Sequence, residues 1–164
     1  MRMIPLTQGQ YAIVDDANYE ALNKHKWCAA KMHGKYYAIR GVRNDSKTRT
    51  VYLHREILQP AVGQEIDHIN GNPLDNRDNN LRLCTSAQNH MNQRPRGGSS
   101  QFKGVTWHKR NKKWQAEIQH NGKSYWLSAF ADETDAARAY DKAAREHFGE
   151  FARLNFPERE RQMA

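Results

Sequence analysis

Cysteine is scarce in this chain: Cys28 and Cys84 are the only two, far apart and without a C-x-x-C pair. That excludes a disulfide framework and a cysteine-based structural zinc site, and makes reduced thiols in an intracellular protein the expectation. No apolar run approaches the roughly 20 residues that a membrane helix needs. The opening MRMIPLTQGQ has no signal-peptide core, so a soluble, cytoplasmic protein with no membrane partner is expected. Acidic charge is scarce in one place: residues 94–128 hold 8 basic side chains and 1 acidic, against 12 and 9 in residues 1–93 and 6 and 8 in residues 129–164. The net charge is +8 over 164 residues. A cationic patch gains by releasing counterions from a polyanion, so the middle segment is expected to face phosphates. The length allows one ordinary domain or two small ones.

The run QRPRGGSSQ mixes Pro, Gly, Ser and Arg and reads as a basic flexible linker. It sets domains at 1–93 and 102–157, a linker at 94–101 and a tail at 158–164. In the first part, strands are predicted around Tyr11 to Val14 and Tyr36 to Arg40, with a helical piece near Asn18 to Lys26 between them. RTVYLHREIL begins as a strand and turns into a short helix that Pro60 closes. EIDHI then reads as a strand, NGNPLDNRDNN as a turn-rich loop, LRLC as a second strand, and TSAQ as a capping box opening a helix, with Thr85 as N-cap. In the second part, FKGVTWHKR, KWQAEIQH and KSYWLSAF are three strands, the last two joined by an Asn-Gly turn. Asp132 caps a following helix that Gly149 ends, with an apolar stripe of Ala136, Ala139, Tyr140, Ala143, Ala144 and His147 to lie against the sheet.

The chemistry gathers in residues 65–93. Asp67 and His68 are adjacent, and Asn89 falls one turn into the helix behind Thr85. One carboxylate and one amide make a sparse oxygen site, suited to a hard divalent cation that keeps waters and takes phosphate oxygens. Mg²⁺ fits it better than Zn²⁺. An imidazole beside it could take a proton from water at neutral pH. On a regular strand neighbouring side chains point to opposite faces, so a shared centre calls for a twist or bulge at Asp67 and His68.

LHREIL followed by EIDHINGNPLDNRDNNLRLCTSAQNHMNQ closely resembles the HNH homing endonucleases of phages and mobile introns, over roughly residues 50–93. The resemblance implies a ββα-metal finger, with a strained hairpin supplying that distortion. It also implies His68 as general base, Asn80 as the residue that holds the loop and orients the imidazole, and Asp67 with Asn89 on Mg²⁺, or Mn²⁺ in its place. His54 and Arg55 match the upstream HR and take supporting or phosphate-contacting roles. His90, beside the last ligand, stands as its substitute.

Residues 102–156, with KGV, KWQAEI, FADETDAARAYDKAA and LNFP, resemble the apetala/ethylene-response-factor DNA-binding domain. Such a domain is a three-stranded antiparallel sheet packed on one helix, giving an α+β chain overall. The alternating residues Lys103, Trp107, Lys109, Lys113, Gln115 and Lys123, with Arg110 and Lys112, are expected on DNA, and Val105, Ala116, Ile118, Leu127 and Phe130 in the core. Together these features point to a metal-dependent endonuclease on double-stranded DNA, a monomer or homodimer without a small-molecule cofactor. Two other readings are a non-catalytic DNA-binding regulator and, on the basic strands with Trp107, Trp114, Tyr125 and Trp126, an RNA-binding protein.

Overall fold

The computed structural model describes residues 1–45, 47–95 and 97–157; the expected tail at 158–164, and Arg96 within the expected linker, lie outside the described residues. The chain divides into two compact units, Met1–Asn89 and His90–Ala164. Each is a mixture of short helices and small antiparallel sheets.

The first unit opens with a hairpin of β1 (Arg2–Pro5) and β2 (Tyr11–Val14). Ile4, Ala12 and Val14 turn inward and join Leu22, Trp27, Ala38 and Leu53 in one core. Helix α1 (Asp16–Leu22) is shorter than its sequence suggests. The buried Trp27 indole N–H takes the Leu22 carbonyl at 2.9 Å, so the chain turns where a further helical turn was predicted.

A three-stranded antiparallel sheet follows, in the order β3 (Cys28–Met32), β4 (Lys35–Asn44), β5 (Lys47–Tyr52). Strand β3 escapes a propensity reading because its alanines favour helix. Pairing decides it: Ala29 sits opposite Ala38, and both are buried. Helix α2 (Leu53–Leu58) ends at Gln59 in the left-handed conformation, one residue before Pro60. Strands β6 (Glu65–His68) and β7 (Leu81–Cys84) form an antiparallel hairpin, and helix α3 (Ser86–Met91) comes directly after it. The capping box is present: Thr85 N–H donates to Gln88 Oε1 at 2.8 Å, and Gln88 N–H donates back to Thr85 Oγ1 at 3.3 Å.

In the second unit, β8 (Val105–His108), β9 (Lys113–His120) and β10 (Lys123–Phe130) form an antiparallel sheet with β9 in the centre. Helix α4 (Glu133–Phe148) covers one face, and the Asp132 carboxylate accepts from the N–H groups of Thr134 and Asp135 at its start. Val105, Ala116 and Ile118 are buried as expected, while Leu127 and Phe130 pack at the core margin. His147 is a correction: the last turn puts Phe148 into the core, and His147 lies exposed, stacked on Tyr125. Asp141, 2% exposed, had no place in the expected stripe. Its carboxylate accepts the backbone N–H groups of Asn155 and Phe156, each at 2.8 Å, which fastens the LNFP segment under the helix. Of the expected linker, Ser99 accepts the Trp107 N–H and Ser100 donates to Glu133, so both are tied into this unit.

Gly104 has φ +73°, and a Cβ there would lie 2.0 Å from the Tyr140 ring and 2.7 Å from the Glu117 carbonyl oxygen. Overpacking and left-handed strain add, so Gly104→Ala is expected to destabilise the second unit by about 3 kcal/mol. Urea unfolding of wild type and variant, followed by circular dichroism, checks this.

Candidate active site and nucleic-acid interface

The Asn-rich stretch between β6 and β7 is not a free loop. Asn70 and Asn72 each accept a backbone N–H two residues on, from Asn72 at 2.8 Å and Leu74 at 3.2 Å, which folds the chain on itself. Asn80 closes the loop, its Oδ1 accepting from Asn70 N–H at 3.0 Å and its Nδ2 donating to the Asp75 carbonyl at 2.7 Å. Asp75, 3% exposed, takes two hydrogen bonds from Arg77 at 2.7 Å and one from Asn70 at 2.8 Å. The Arg77 guanidinium holds that carboxyl below the usual carboxylate range. Strand β2 grips the loop from outside: Ile13 N–H donates to Leu74 O, and Asn76 N–H donates to Ile13 O, both at 2.8 Å. The N-terminal hairpin is therefore the loop's scaffold.

This loop presents the Asn76 side chain to His68, with Oδ1 3.3 Å from Nε2. Asn76 Nδ2 donates to the Pro73 carbonyl, so the amide turns its oxygen to the ring. An amide oxygen only accepts, so Nε2 carries the proton and the basic lone pair belongs to Nδ1. Burial lowers the His68 pKa, which keeps the imidazole neutral at pH 7. His54 packs edge-on against it at 5.1 Å between ring centroids and is backed by Tyr37 and Tyr52. Arg55 is exposed on α2.

Asp67 is placed differently. The β6–β7 register runs without a shift through Asp67 opposite Arg82 and His68 opposite Leu81. Alternation then sets Asp67 on the face of Glu65, Arg82 and Cys84, and His68 on the face of Ile66 and Leu81. The bulge that a shared centre seemed to require is missing, because ladder pairing persists to the end of β6. Both Nε and Nη2 of Arg82 donate to Asp67 Oδ2, at 2.9 and 2.6 Å, in a pair only 11% and 6% exposed by side chain. The Asn89 amide donates to Glu65 Oε2 at 2.7 Å, which brings α3 to the same face. The Cys84 thiol is pushed up to about 11 by burial and by Asp67 and Glu65, so it stays protonated. Among the described residues no three His, Cys, Asp or Glu side chains gather as a metal cluster. What the face offers is carboxylate and amide oxygen, the donor set of a hard cation, with Arg82 already placing positive charge on Asp67. Glu65, Asn76, Asp75 and Arg82 were missed by sequence reasoning. The signal that could have found Glu65 is its two-residue offset from Asp67. His90 falls in the second unit, next to Asn89 in α3.

On the second unit the register sorts the expected DNA-facing residues. Thr106 pairs with Gln115 and His108 with Lys113, and these point away from α4, as do Glu117, Gln119, Ser124 and Trp126 by alternation. Trp126 is 63% exposed on that uncovered face. Trp107 lies on the helix side, opposite Trp114 with ring centroids 5.0 Å apart. Lys109, Arg110 and Lys112 stand exposed in the β8–β9 turn, and Lys123 starts β10. Lys103 precedes β8 and donates to the Met91 carbonyl, and burial pushes its pKa down to about 8. Counting alternation from buried Ala116 and Ile118 would have drawn Glu117 and Gln119 into the open face.

A buried histidine set among asparagines on one small unit and a three-stranded sheet with one face left open on another make this a modular chain. The HNH endonuclease family matches residues 51–91 and the AP2 domain matches residues 100–150. An uncharacterized HNH endonuclease of Acanthamoeba polyphaga mimivirus is 31% identical over 154 residues, covering 90% of this chain and 76% of that protein. Protein 3.8 of Escherichia phage T7 is 34% identical over 93 residues, 56% of this chain and 76% of the phage protein. APETALA2-like protein 2 of rice is 44% identical over 62 residues, 38% of this chain but only 14% of the plant protein. The chain belongs to the HNH endonuclease family and carries an AP2 domain beside its HNH segment. Both segments imply binding to DNA. No helix among the described residues is long and apolar enough to cross a membrane.

Because His54 is held neutral with its pKa lowered to about 3, chiefly by burial, the unfolded chain binds a proton there that the folded chain does not. The folded state therefore loses about 1.4 kcal/mol per pH unit from this residue as pH falls below about 6.5, until roughly pH 3. His54→Phe keeps a ring against His68 and removes this loss. Acid titration followed by fluorescence is expected to give a lower unfolding midpoint for the variant than for wild type.

Proposed function

We propose that the protein is a divalent-metal-dependent endonuclease of the homing type, which hydrolyses phosphodiester bonds in double-stranded DNA through a ββα-metal finger at residues 50–93. The observation that carries the reading is the buried His68 imidazole, whose Nε2 lies 3.3 Å from Asn76 Oδ1 and so leaves Nδ1 as the basic nitrogen. His68 Nδ1 takes a proton from water as the water oxygen attacks phosphorus. The bond to the 3′ oxygen breaks, that oxygen takes a proton from solvent water, and the products carry a 5′ phosphate and a 3′ hydroxyl.

Asp67 and Asn89 are the residues that would hold Mg²⁺, or Mn²⁺ in its place. When bound, the cation supplies Lewis-acid stabilisation of charge on the phosphate. Glu65 positions Asn89: a carboxylate at 2.7 Å accepts only, so the amide gives its N–H to Glu65 and its oxygen would be left to a cation. Asn80 keeps the loop, and through it Asn76, in place. Strand β6 stops at His68, so a phosphodiester passing that end can meet residues of both faces. The AP2 sheet anchors the chain on duplex DNA through Lys113, Gln115 and the other side chains of its open face, with Lys109, Arg110 and Lys112 on the flanking phosphates. Lys103, before β8, and Lys123, at the start of β10, lie at strand ends beside that surface, while Trp107 packs on the helix side and is left out of it. Residues 94–101 join the two parts, and one finger per chain suits nicking by a monomer or paired cuts by a dimer. The protein acts in the cytoplasm of a bacterial or phage-infected cell.

Supercoiled plasmid incubated with Mg²⁺ is expected to be nicked or linearised by wild type and left intact with EDTA. His68→Ala is expected to lose about 10²-fold or more in rate. Retention of full metal-dependent cleavage by that variant would remove His68 from the role. Glu65→Leu is expected to weaken Mn²⁺ binding about 10- to 100-fold by calorimetry, whereas Glu65→Gln, which still offers an acceptor, restores most of it.

A further inference from the structure

On the first unit a groove of about 470 Å³ opens between the β4–β5 strands and helix α2, and none of its lining comes from the β6–β7 hairpin. Three arginines line it: Arg40 from β4, Arg49 from β5 and Arg55 from α2. The register places them together, since Arg40 lies opposite Val51 and Val42 opposite Arg49, which puts Arg40 and Arg49 on one sheet face. The one carboxylate in the lining, Glu56, is already engaged, both its oxygens taking Arg40 Nη2 at 2.9 Å. Arg49 and Arg55 are exposed. Arg40 Nε–H is buried and meets no acceptor among the described residues. That donor is closed to solvent, so the guanidinium groups open to an incoming anion are those of Arg49 and Arg55.

Guanidinium groups gathered in an open groove with one carboxylate among three cations select an anion with several oxygens, and their planar donor forks match phosphate. We infer that this groove is a second docking site for the sugar-phosphate backbone of duplex DNA, built on the nuclease unit itself and separate from the AP2 sheet. The choice of DNA as the polyanion rests on the proposed endonuclease reading. At about 470 Å³ the groove has more room than one phosphate fills, and Val42 and Pro60 in its lining give the sugar an apolar surface. It reads no sequence. Its effect is to hold the backbone near the finger whichever target the sheet selects.

The test uses the full chain carrying His68→Ala, so that binding is measured without cutting. Two duplexes of unrelated sequence are titrated across salt from about 50 to 200 mM. Arg49→Gln is expected to weaken both complexes to the same extent and to lower the slope of log affinity against log salt by about 1, and Arg49→Gln with Arg55→Gln by about 2. Arg49 is exposed, so its variant keeps the fold, which circular dichroism verifies. DNA binding that persists with an unchanged slope in both variants overturns the site. So does saturable binding of inorganic phosphate that Arg49→Gln abolishes while the DNA slope stays put, which makes the groove a site for free phosphate. A lowered slope together with absent cleavage by the His68-bearing chain upholds the docking site and overturns the endonuclease reading instead.

Discussion

The Asn80 amide holds the chain between β6 and β7 closed, and the chemistry of the first unit depends on that closure. Its oxygen and nitrogen satisfy one backbone group on each side of the loop, so neither arm can move without leaving a buried polar group unpaired. Closure brings Asp75 under Arg77 and Asn70, and it leaves Asn76, 1% exposed, facing His68. The N-terminal hairpin completes the frame through paired backbone hydrogen bonds from Ile13. A region that reads as a polar surface loop is thus as tightly specified as a core.

Charge is organised around this frame with little waste. Arg82 and Asp67 form a buried pair, and such pairs owe their persistence to geometry more than to net stability, because desolvation cancels much of their attraction. That pair sets the Asp67 carboxylate against a guanidinium that gives it two hydrogen bonds. His68 experiences the opposite environment one residue later, among Ile66, Leu81 and His54, where burial favours the uncharged ring. The same strand therefore holds Asp67 and His68 on opposite faces, and alternation is what keeps them apart.

The second unit solves a different problem, that of exposing one sheet face without losing stability. Helix α4 covers the other face with alanines, so backbone and sheet approach closely, and Asp141 fastens the segment that follows. Gly104 lets the chain pass beneath Tyr140 where any side chain would collide. With the covered face carrying the packing, the open one is free to bear Lys113, Gln115, Gln119 and Trp126 as polar and flat side chains that suit a nucleic-acid groove.

Much of this was legible beforehand, because strand alternation, the Asn-Gly turn, the Thr85 capping box and the Asp132 cap are local signals whose energetics involve a few neighbouring residues. The sequence by itself determined where β9, β10, α4 and the β6–β7 hairpin lie, and its HNH and AP2 motifs determined the family. Tertiary structure alone decided that α1 ends at Leu22, that alanine-rich residues 28–32 form a strand, and that Glu65, Asp75, Asn76 and Arg82 join the site. Those outcomes rest on partners distant in sequence, such as Ala38 for Ala29 and Ile13 for Asn76, and no local pattern announces them. Pairing register likewise turned Trp107 toward the helix and Trp126 toward solvent, since a strand's facing is fixed only when its neighbour is in place.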